Sequence, residues 1–309
     1  MKLQILLSTY NGSAYLCEQL DSLLAQSLNK MSQWEVGITI RDDGSTDGTW
    51  DLLERYAREH EEIRLIRGKN KGVIGSFFEL IFSIENDVDY VALSDQDDVW
   101  MEDKLERAVE QLTAREGRKP LLYCGKPMLT DEALNPIPSI MYGEQVRPSF
   151  GNALIENICT GCTAVCNRKL VELAQMGIPE FVVMHDWWLY LLASCFGEVI
   201  FDDVPHMYYR QHQGNVVGVQ KNFWREFKAR VKRFRGNRYN IHRQVASLEK
   251  MCEKASLKMS SDNEKLVKQL LSAKSNFIDR ILLVKNPLIF RQRKGDNLIF
   301  SLILLMGNM

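Results

Sequence analysis

Two short runs of aspartate carry the chemistry available to this chain: Asp42-Asp43-Gly44-Ser45 and Asp95-Gln96-Asp97-Asp98. Each follows a short apolar run that reads as a strand. In open α/β sheets, ligands bind beyond the carboxyl ends of such strands. Five carboxylates at one sheet edge repel one another in a partly dry site. A divalent cation is the usual compensation. Asp95 and Asp97 flank one residue, so in an extended segment they point to the same side. They could hold Mg²⁺ or Mn²⁺ that also binds a diphosphate and neutralises charge developing on a leaving phosphate. The plainer reading of Asp-x-Asp is a solvated turn. A second aspartate cluster on another βα unit weighs against it.

The elements that must position these residues alternate through the first hundred positions. Leu3–Ser8, Val36–Arg41, Ile63–Ile66 and Tyr90–Ser94 read as strands. Ser13 is placed to cap a helix whose apolar face is Leu16, Leu20, Leu23 and Leu24. Further helices are expected over Thr49–Arg58, near Gly75–Ile84 and over Glu102–Thr113. This alternation implies a mostly parallel sheet with helices on both faces. Leu121–Gly125 reads as another strand, and Lys126–Phe150, with four prolines, as loops. Asp186–Phe196 reads as a helix, Glu198–Asp202 and Met207–Arg210 as strands, and the chain after Gly218 as helices with basic faces. A boundary falls near residue 215.

The chain has 309 residues, 39 Lys and Arg against 40 Asp and Glu, and 45% hydrophobic residues. That is an ordinary globular composition with room for one large domain or two small ones. The near-zero net charge argues against a generally basic nucleic-acid binder and against a disordered acidic chain. The apolar run Leu3–Leu7 is too short for a signal peptide core. No stretch reaches the ~20 apolar residues that span a bilayer. Seven cysteines, an odd number without a secretory signal, read as reduced thiols in a cytosolic protein.

Leu7-Ser8-Thr9-Tyr10-Asn11-Gly12, Asp42-Asp43-Gly44-Ser45, Asn70-x-Gly72 and Asp95-Gln96-Asp97-Asp98 occur in that order. With His185-Asp186-Trp187-Trp188 and Tyr209–Gly218, the chain resembles the family 2 inverting glycosyltransferases, within them the bacterial rhamnosyltransferases of surface polysaccharide synthesis. The motifs cover roughly residues 3–218. The resemblance implies an α/β GT-A nucleotide-diphospho-sugar transferase fold with a helical C-terminal extension. Residues 1–215 would form the catalytic domain, with 1–98 as nucleotide-binding half and 99–215 as acceptor-binding half; 216–309 would be a helical, basic region.

The same resemblance assigns roles. Thr9 and Tyr10 line the nucleotide pocket, and Asn11, Asp43 and Gln96 belong to the substrate-binding motifs. Asp42 accepts from the base edge, such as a uracil or thymine N3–H. Lys71 and Gly72 lie by the nucleotide. Asp95 and Asp97 are the Asp-x-Asp pair, with Asp97 the direct metal ligand and His212 a further metal or diphosphate ligand. Gly161 lets the backbone approach the donor sugar. Asp186 is the general base on the acceptor hydroxyl. An ordinary aspartate, pKa ~3.9, is a weak base and suffices if proton transfer accompanies sugar transfer. The implied donor is a nucleoside-diphosphate sugar, dTDP-L-rhamnose first and another UDP- or dTDP-hexose as alternative. The implied acceptor is a growing lipid-linked or polysaccharide glycan.

Other motif readings compete. Asp43 to Glu54 has the spacing of an EF-hand loop, but a strand rather than a helix precedes it. Asp95-x-Asp97 after a strand resembles the nucleophile motif of haloacid-dehalogenase-type phosphatases, though the second acidic motif is missing. Cys159, Cys162 and Cys166 lack a local fourth zinc ligand and read as small buried residues. Trp187 and Trp188 read as core, with one of them available to stack on an acceptor sugar. A non-catalytic glycosyltransferase-like scaffold is the remaining class; the presence of Asp42, Asp95, Asp97 and Asp186 favours an enzyme.

Residues 221–238 hold eight Lys or Arg against Glu226 alone. Phe223, Phe227, Val231 and Phe234 form one helical face there. Such a stripe can lie on an anionic membrane surface, which would place the protein in the cytoplasm, peripheral at the inner face of the cell membrane. The plainer reading is a helix packed on the catalytic domain. Nothing in the patch reads bases, so nucleic acid is not an expected partner.

Overall fold

The computed structural model describes residues 1–115, 117, 119–138, 145–212 and 239–307. The basic stretch 221–238, the expected boundary near 215 and the end of the Tyr209–Gly218 motif lie outside the described residues.

The strands are β1 (Lys2–Thr9), β2 (Glu35–Asp42), β3 (Ile63–Arg67), β4 (Tyr90–Ser94), β5 (Val99–Trp100), β6 (Leu121–Gly125), β7 (Met128–Thr130), β8 (Val165–Asn167), β9 (Glu198–Asp202) and β10 (Met207–Arg210). The first helices are α1 (Leu16–Leu24), α2 (Thr49–Glu59), α3 (Gly72–Phe82) and α4 (Lys104–Thr113). They are followed by α5 (Phe150–Ala153), α6 (Arg168–Ala174) and α7 (His185–Phe196). The C-terminal helices are α8 (Asn240–Lys254), α9 (Ser261–Ser272), α10 (Phe277–Lys285) and α11 (Lys294–Leu305).

Seven strands form the central sheet in the order β3-β2-β1-β4-β8-β6-β9. β1, β2, β3 and β4 are mutually parallel, while β8 runs antiparallel to β4 and β6. The expected mixed, mostly parallel α/β sheet is therefore present. β1 shows why: Leu3, Ile5 and Leu7 pack into one apolar cluster and Leu6 into the other. A strand covered on both faces needs such a continuous apolar run. Each of these side chains is fully buried and contributes roughly 1.5–3 kcal/mol.

Four local expectations are corrected. Ser13 does not cap α1, which starts at Leu16 with Tyr15 in the flanking position; both Ser13 N–H and Oγ–H instead donate to Asp47. The helix expected near Gly75 starts at Gly72, because that N–H is held by Asp43 and Asn70 side chains. The proline-rich segment contains the strand β7, which pairs with β10. Finally, β5 and β8, only two and three residues long, were not expected; such short segments carry no readable periodicity.

A small second sheet, β5-β10-β7, lies beside the first. β5 begins immediately after Asp98, so its antiparallel pairing with β10 draws the residues after Arg210 toward the aspartate run. Val245, Leu248, Leu270, Leu283 and Phe300 from the C-terminal helices share an apolar cluster with Trp188 and Leu192 of α7.

Candidate active site

Strand register gathers the candidate residues at one edge. Thr9 pairs with Asp42, and Asp42 with Arg67, while Ser94, just before Asp95, pairs with Leu7. The loop after β1 is closed by Gln96, whose Oε1 accepts from Thr9 Oγ1 (2.6 Å) and Tyr10 N (2.8 Å). A Cβ on Gly12 would lie 2.3 Å from that same oxygen, so a side chain there would push Gln96 off this loop. The Gln96 carboxamide is thus engaged in holding the Thr9–Gly12 loop. Asn11 sits at φ 50° and ties this loop to the next turn, accepting from Thr46 N (2.9 Å). Tyr10 remains about half exposed at the mouth (47%).

Asp42 and Asp43 are both buried, but they face different partners. Asp42 Oδ2 accepts from Ser45 N (3.1 Å), and its buried Oδ1 has no hydrogen-bond partner. Asp43 accepts from Lys71 N (2.9 Å), Gly72 N (2.9 Å) and the Arg41 guanidinium. Its carboxylate therefore shapes the loop before α3 from within. Arg41 is completely buried and also meets Glu79 and the Lys69 carbonyl. The Lys71 ammonium pairs with Glu79 at the surface. Arg41 was not singled out from sequence; the signal was a charged residue at the end of an otherwise apolar strand, directly before two aspartates.

The second aspartate run meets the small sheet. His212 Nε2 lies 2.7 Å from Asp97 Oδ2. The Arg210 guanidinium, almost fully buried, donates to the Asp97 carbonyl (3.0 Å) and pairs with Glu18 of α1. Arg210 N donates to Asp98 Oδ1 (3.3 Å). The His212 ring also packs on Tyr15, with centroids 4.9 Å apart. Asp95, Asp98 and Cys162 bring ligand atoms within 4.8 Å of one another. Burial, then the charges of Asp97 and Asp186, push Asp95 up to about 7. Burial raises Asp98 well above the usual carboxylate range, with Asp97 and Asp95 adding to it. Carboxylates that are costly to ionise together are the expected signature of a place built for a cation. Their oxygens and the His212 nitrogen suit a hard divalent ion such as Mg²⁺ or Mn²⁺. Lys104 lies beneath this group with its ammonium 3.2 Å from the Trp100 ring centroid. Asp98, Arg210 and Lys104 were not assigned roles from sequence.

Asp186 stands in the first turn of α7, where the helix dipole favours an anion. Burial still dominates and raises it to about 6, despite the hydrogen bond from Trp187 N (2.6 Å). A Cβ on Gly161 would lie 3.1 Å from His185 Nε2 and 3.5 Å from Asp186 Oδ2. His185 is buried and stacks on Phe77, and burial lowers it to about 3, so it stays neutral. Trp187 donates its indole N–H to the Ala153 carbonyl (2.7 Å), while Trp188 is fully buried core. Cys159, Cys162 and Cys166 are free buried thiols. Asp186 raises both Asp95 and Cys159 electrostatically, which places it near the aspartate group.

Carboxylates gathered at the carboxyl edge of a mostly parallel sheet covered on both faces are the arrangement of the GT-A fold. Residues 4–172 match the family described as Glycosyl transferase family 2, and the chain belongs to that family. It is 29% identical to the dTDP-rhamnosyl transferase RfbG of Shigella flexneri over 239 residues, covering 72% of this chain and 77% of that one. It is 28% identical to the putative teichuronic acid biosynthesis glycosyltransferase TuaG of Bacillus subtilis, covering 62% and 72%. Among solved structures, S. aureus TarS 1–349 in complex with UDP-GlcNAc superposes with a TM-score of 0.58 at 16% identity, covering 100% of this chain and 89% of that one. The mannosyltransferase PcManGT of Pyrobaculum calidifontis, in complex with GDP-Man and Mn²⁺, gives 0.52 at 17% identity, covering 99% and 85%. At such identities the likeness establishes the fold.

Proposed function

We propose that the chain is an inverting, metal-dependent hexosyltransferase that moves L-rhamnose from dTDP-rhamnose to a growing bacterial surface glycan. The observation that carries this reading is the meeting of Asp97 and His212 at 2.7 Å beside Asp95, with Asp186 close by. The rhamnosyl transferase relative supports the donor, and the UDP-GlcNAc and GDP-Man neighbours support a nucleotide-sugar site.

The unpartnered Asp42 Oδ1 supports recognition of a pyrimidine N3–H, since a buried acceptor left unpaired is costly. Thr9, Tyr10 and Asn11 border the nucleotide, with Gln96 and Asp43 holding the two loops around it. Lys71 and Gly72 close its far side. Asp97, Asp95 and His212 hold the cation. A divalent ion there supplies a Lewis acid for the leaving diphosphate. Asp186 takes the acceptor proton as its oxygen attacks the anomeric carbon opposite the departing diphosphate. A carboxylate raised to about 6 is a better base than an ordinary one and is still ionised at neutral pH. Gly161 leaves room for the sugar between Asp186 and the aspartates. Trp187, tied to α5, offers an apolar edge to the acceptor.

The acceptor is a lipid-linked glycan at the inner face of the cell membrane, with residues 221–238 contributing to membrane association. Among the described residues no helix is long and apolar enough to cross a membrane. The catalytic unit ends near residue 215.

A thermal-shift panel of nucleoside diphosphates and their sugars, with and without Mn²⁺, tests the reading. A Mn²⁺-dependent rise in midpoint with dTDP and dTDP-rhamnose is the expected result. No shift with any nucleotide would overturn it.

A further inference from the structure

Among the described residues, seven of the thirteen exposed large apolar side chains fall between 277 and 306. They form stripes at helical spacing. Ile278 and Leu282 on α10 are 65% and 48% exposed; Leu298, Leu302 and Met306, along and just after α11, are 64%, 53% and 64% exposed. α10 and α11 pack together, with Leu283, Phe300 and Leu304 buried behind the stripes. Large apolar side chains presented to solvent every fourth residue on two adjoining helices are unusual for a free surface.

Charge indicates what covers them. Residues 274–309 hold six Lys or Arg against two Asp, in a chain whose net charge is −1. Lys274, Lys285 and Lys294, at the ends of these helices, are exposed. Arg280 and Arg291 are spent internally, on the Ala273 carbonyl and on Glu156. Apolar stripes bordered by exposed lysines complement the headgroup region of an anionic bilayer. A twofold contact between copies would instead set like-charged surfaces against themselves. Helices of nine and twelve residues are too short to span, so they would lie in the interface plane.

The position is also suited to the acceptor. Between α10 and α11 the chain crosses α5: Asn152 Nδ2 donates to the Phe290 carbonyl (2.9 Å), and Gln292 N donates to Glu156 (2.7 Å). α5 in turn holds Trp187, next to Asp186, through the Ala153 carbonyl.

We infer that the exposed apolar face of α10 and α11 is a docking surface for an anionic membrane, separate from residues 221–238. For its purpose this rests on the proposed lipid-linked acceptor, but not for its geometry.

The test is flotation of the full chain with phosphatidylglycerol-containing vesicles against phosphatidylcholine alone. The chain should float with the anionic vesicles, and the combined change Leu282→Asn, Leu298→Asn, Leu302→Asn should weaken this by about tenfold or more. A second variant, Lys285→Glu with Lys294→Glu, should weaken it without touching the apolar side chains. Both should keep the thermal shift with dTDP and Mn²⁺. A wild-type chain that ignores anionic vesicles, or two variants that bind them as well as wild type, overturns the inference. So does a loss confined to charge reversal within 221–238, or light scattering in which the leucine variant converts a dimer to monomers with vesicle binding unchanged. Vesicle binding without any nucleotide shift would instead retain the surface and remove the proposed donor site.

Discussion

The imidazole Nε2 of His212 lies 2.7 Å from Asp97 Oδ2, although 115 positions separate them in the chain. The pairing of β5 with β10 makes this contact. β5 starts at the residue after Asp98, and β10 ends two residues before His212. Arg210 locks the junction by donating to the Asp97 carbonyl and to Asp98.

If these two side chains share a cation, Asp97→Asn and His212→Ala should each remove the Mn²⁺-dependent part of nucleotide affinity. A loss of about tenfold or more is expected, as for other lost metal contacts. Calorimetric titration of dTDP with and without Mn²⁺ measures it. Equal affinities in both conditions for wild type would exclude a metal role.

Asp186→Asn should lower transfer by about 10²–10⁴ while donor affinity stays near wild type. Because burial raises Asp186 to about 6, the base form is lost on acidification through that value. The rate should therefore fall about tenfold per pH unit below pH 6. A flat profile down to pH 4.5 would assign the base elsewhere.

Arg41→Met should cost about 3–5 kcal/mol, because it leaves Asp43 as a buried carboxylate without its cation. Nucleotide affinity should fall with it, since Asp43 holds Lys71 and Gly72. Adding Asp43→Asn should restore part of the stability. Urea unfolding of the two single variants and the double variant measures the coupling.

Burial lowers Lys104 from 10.5 to about 7. The unfolded chain thus binds more protons than the folded one between those values, and stability from this group rises with pH. It is complete above the unfolded value and lost as pH falls through about 7. Between pH 7 and ~8.5, below the ordinary thiol range, Lys104 adds a rising component to the wild-type Tm, while Asp98, raised by burial, adds a falling one. Lys104→Met should remove the rising component, shifting the slope of Tm with pH downward in a buffer series. An unchanged slope would show that Lys104 is not the titrating group.

Gly161→Ala would put a methyl group 3.1 Å from His185 Nε2 and 3.5 Å from Asp186 Oδ2. It should reduce kcat about tenfold or more through displacement of Asp186, the proposed base, while dTDP affinity is kept. A fall in nucleotide affinity with kcat preserved would move Gly161 to the nucleotide side.

The fold was legible because its signal is local. Apolar runs of five to eight residues, each followed by a polar turn and an amphipathic helix, allow few arrangements other than a covered parallel sheet. The same logic located Asp42, Asp95 and Asp97, since residues just past parallel strands share an edge whatever the register. The first helix boundary was misread because Ser13 bonds Asp47 across the turn rather than the helix behind it.

What tertiary structure alone decided is how these carboxylates divide their work. Asp42 and Asp43 are neighbours of one type, yet one keeps an unpartnered oxygen and the other is consumed by Arg41 and two amides. Asp186 acquires its raised pKa only from the packing around α7. The strands β5, β7 and β8, too short for any periodicity, exist because partners from distant parts of the chain supply their hydrogen bonds. Residue type and spacing determine which groups arrive at a sheet edge. Burial and the partner on the far side of the chain determine their charge, because solvation and ion pairing depend on neighbours in space rather than in sequence.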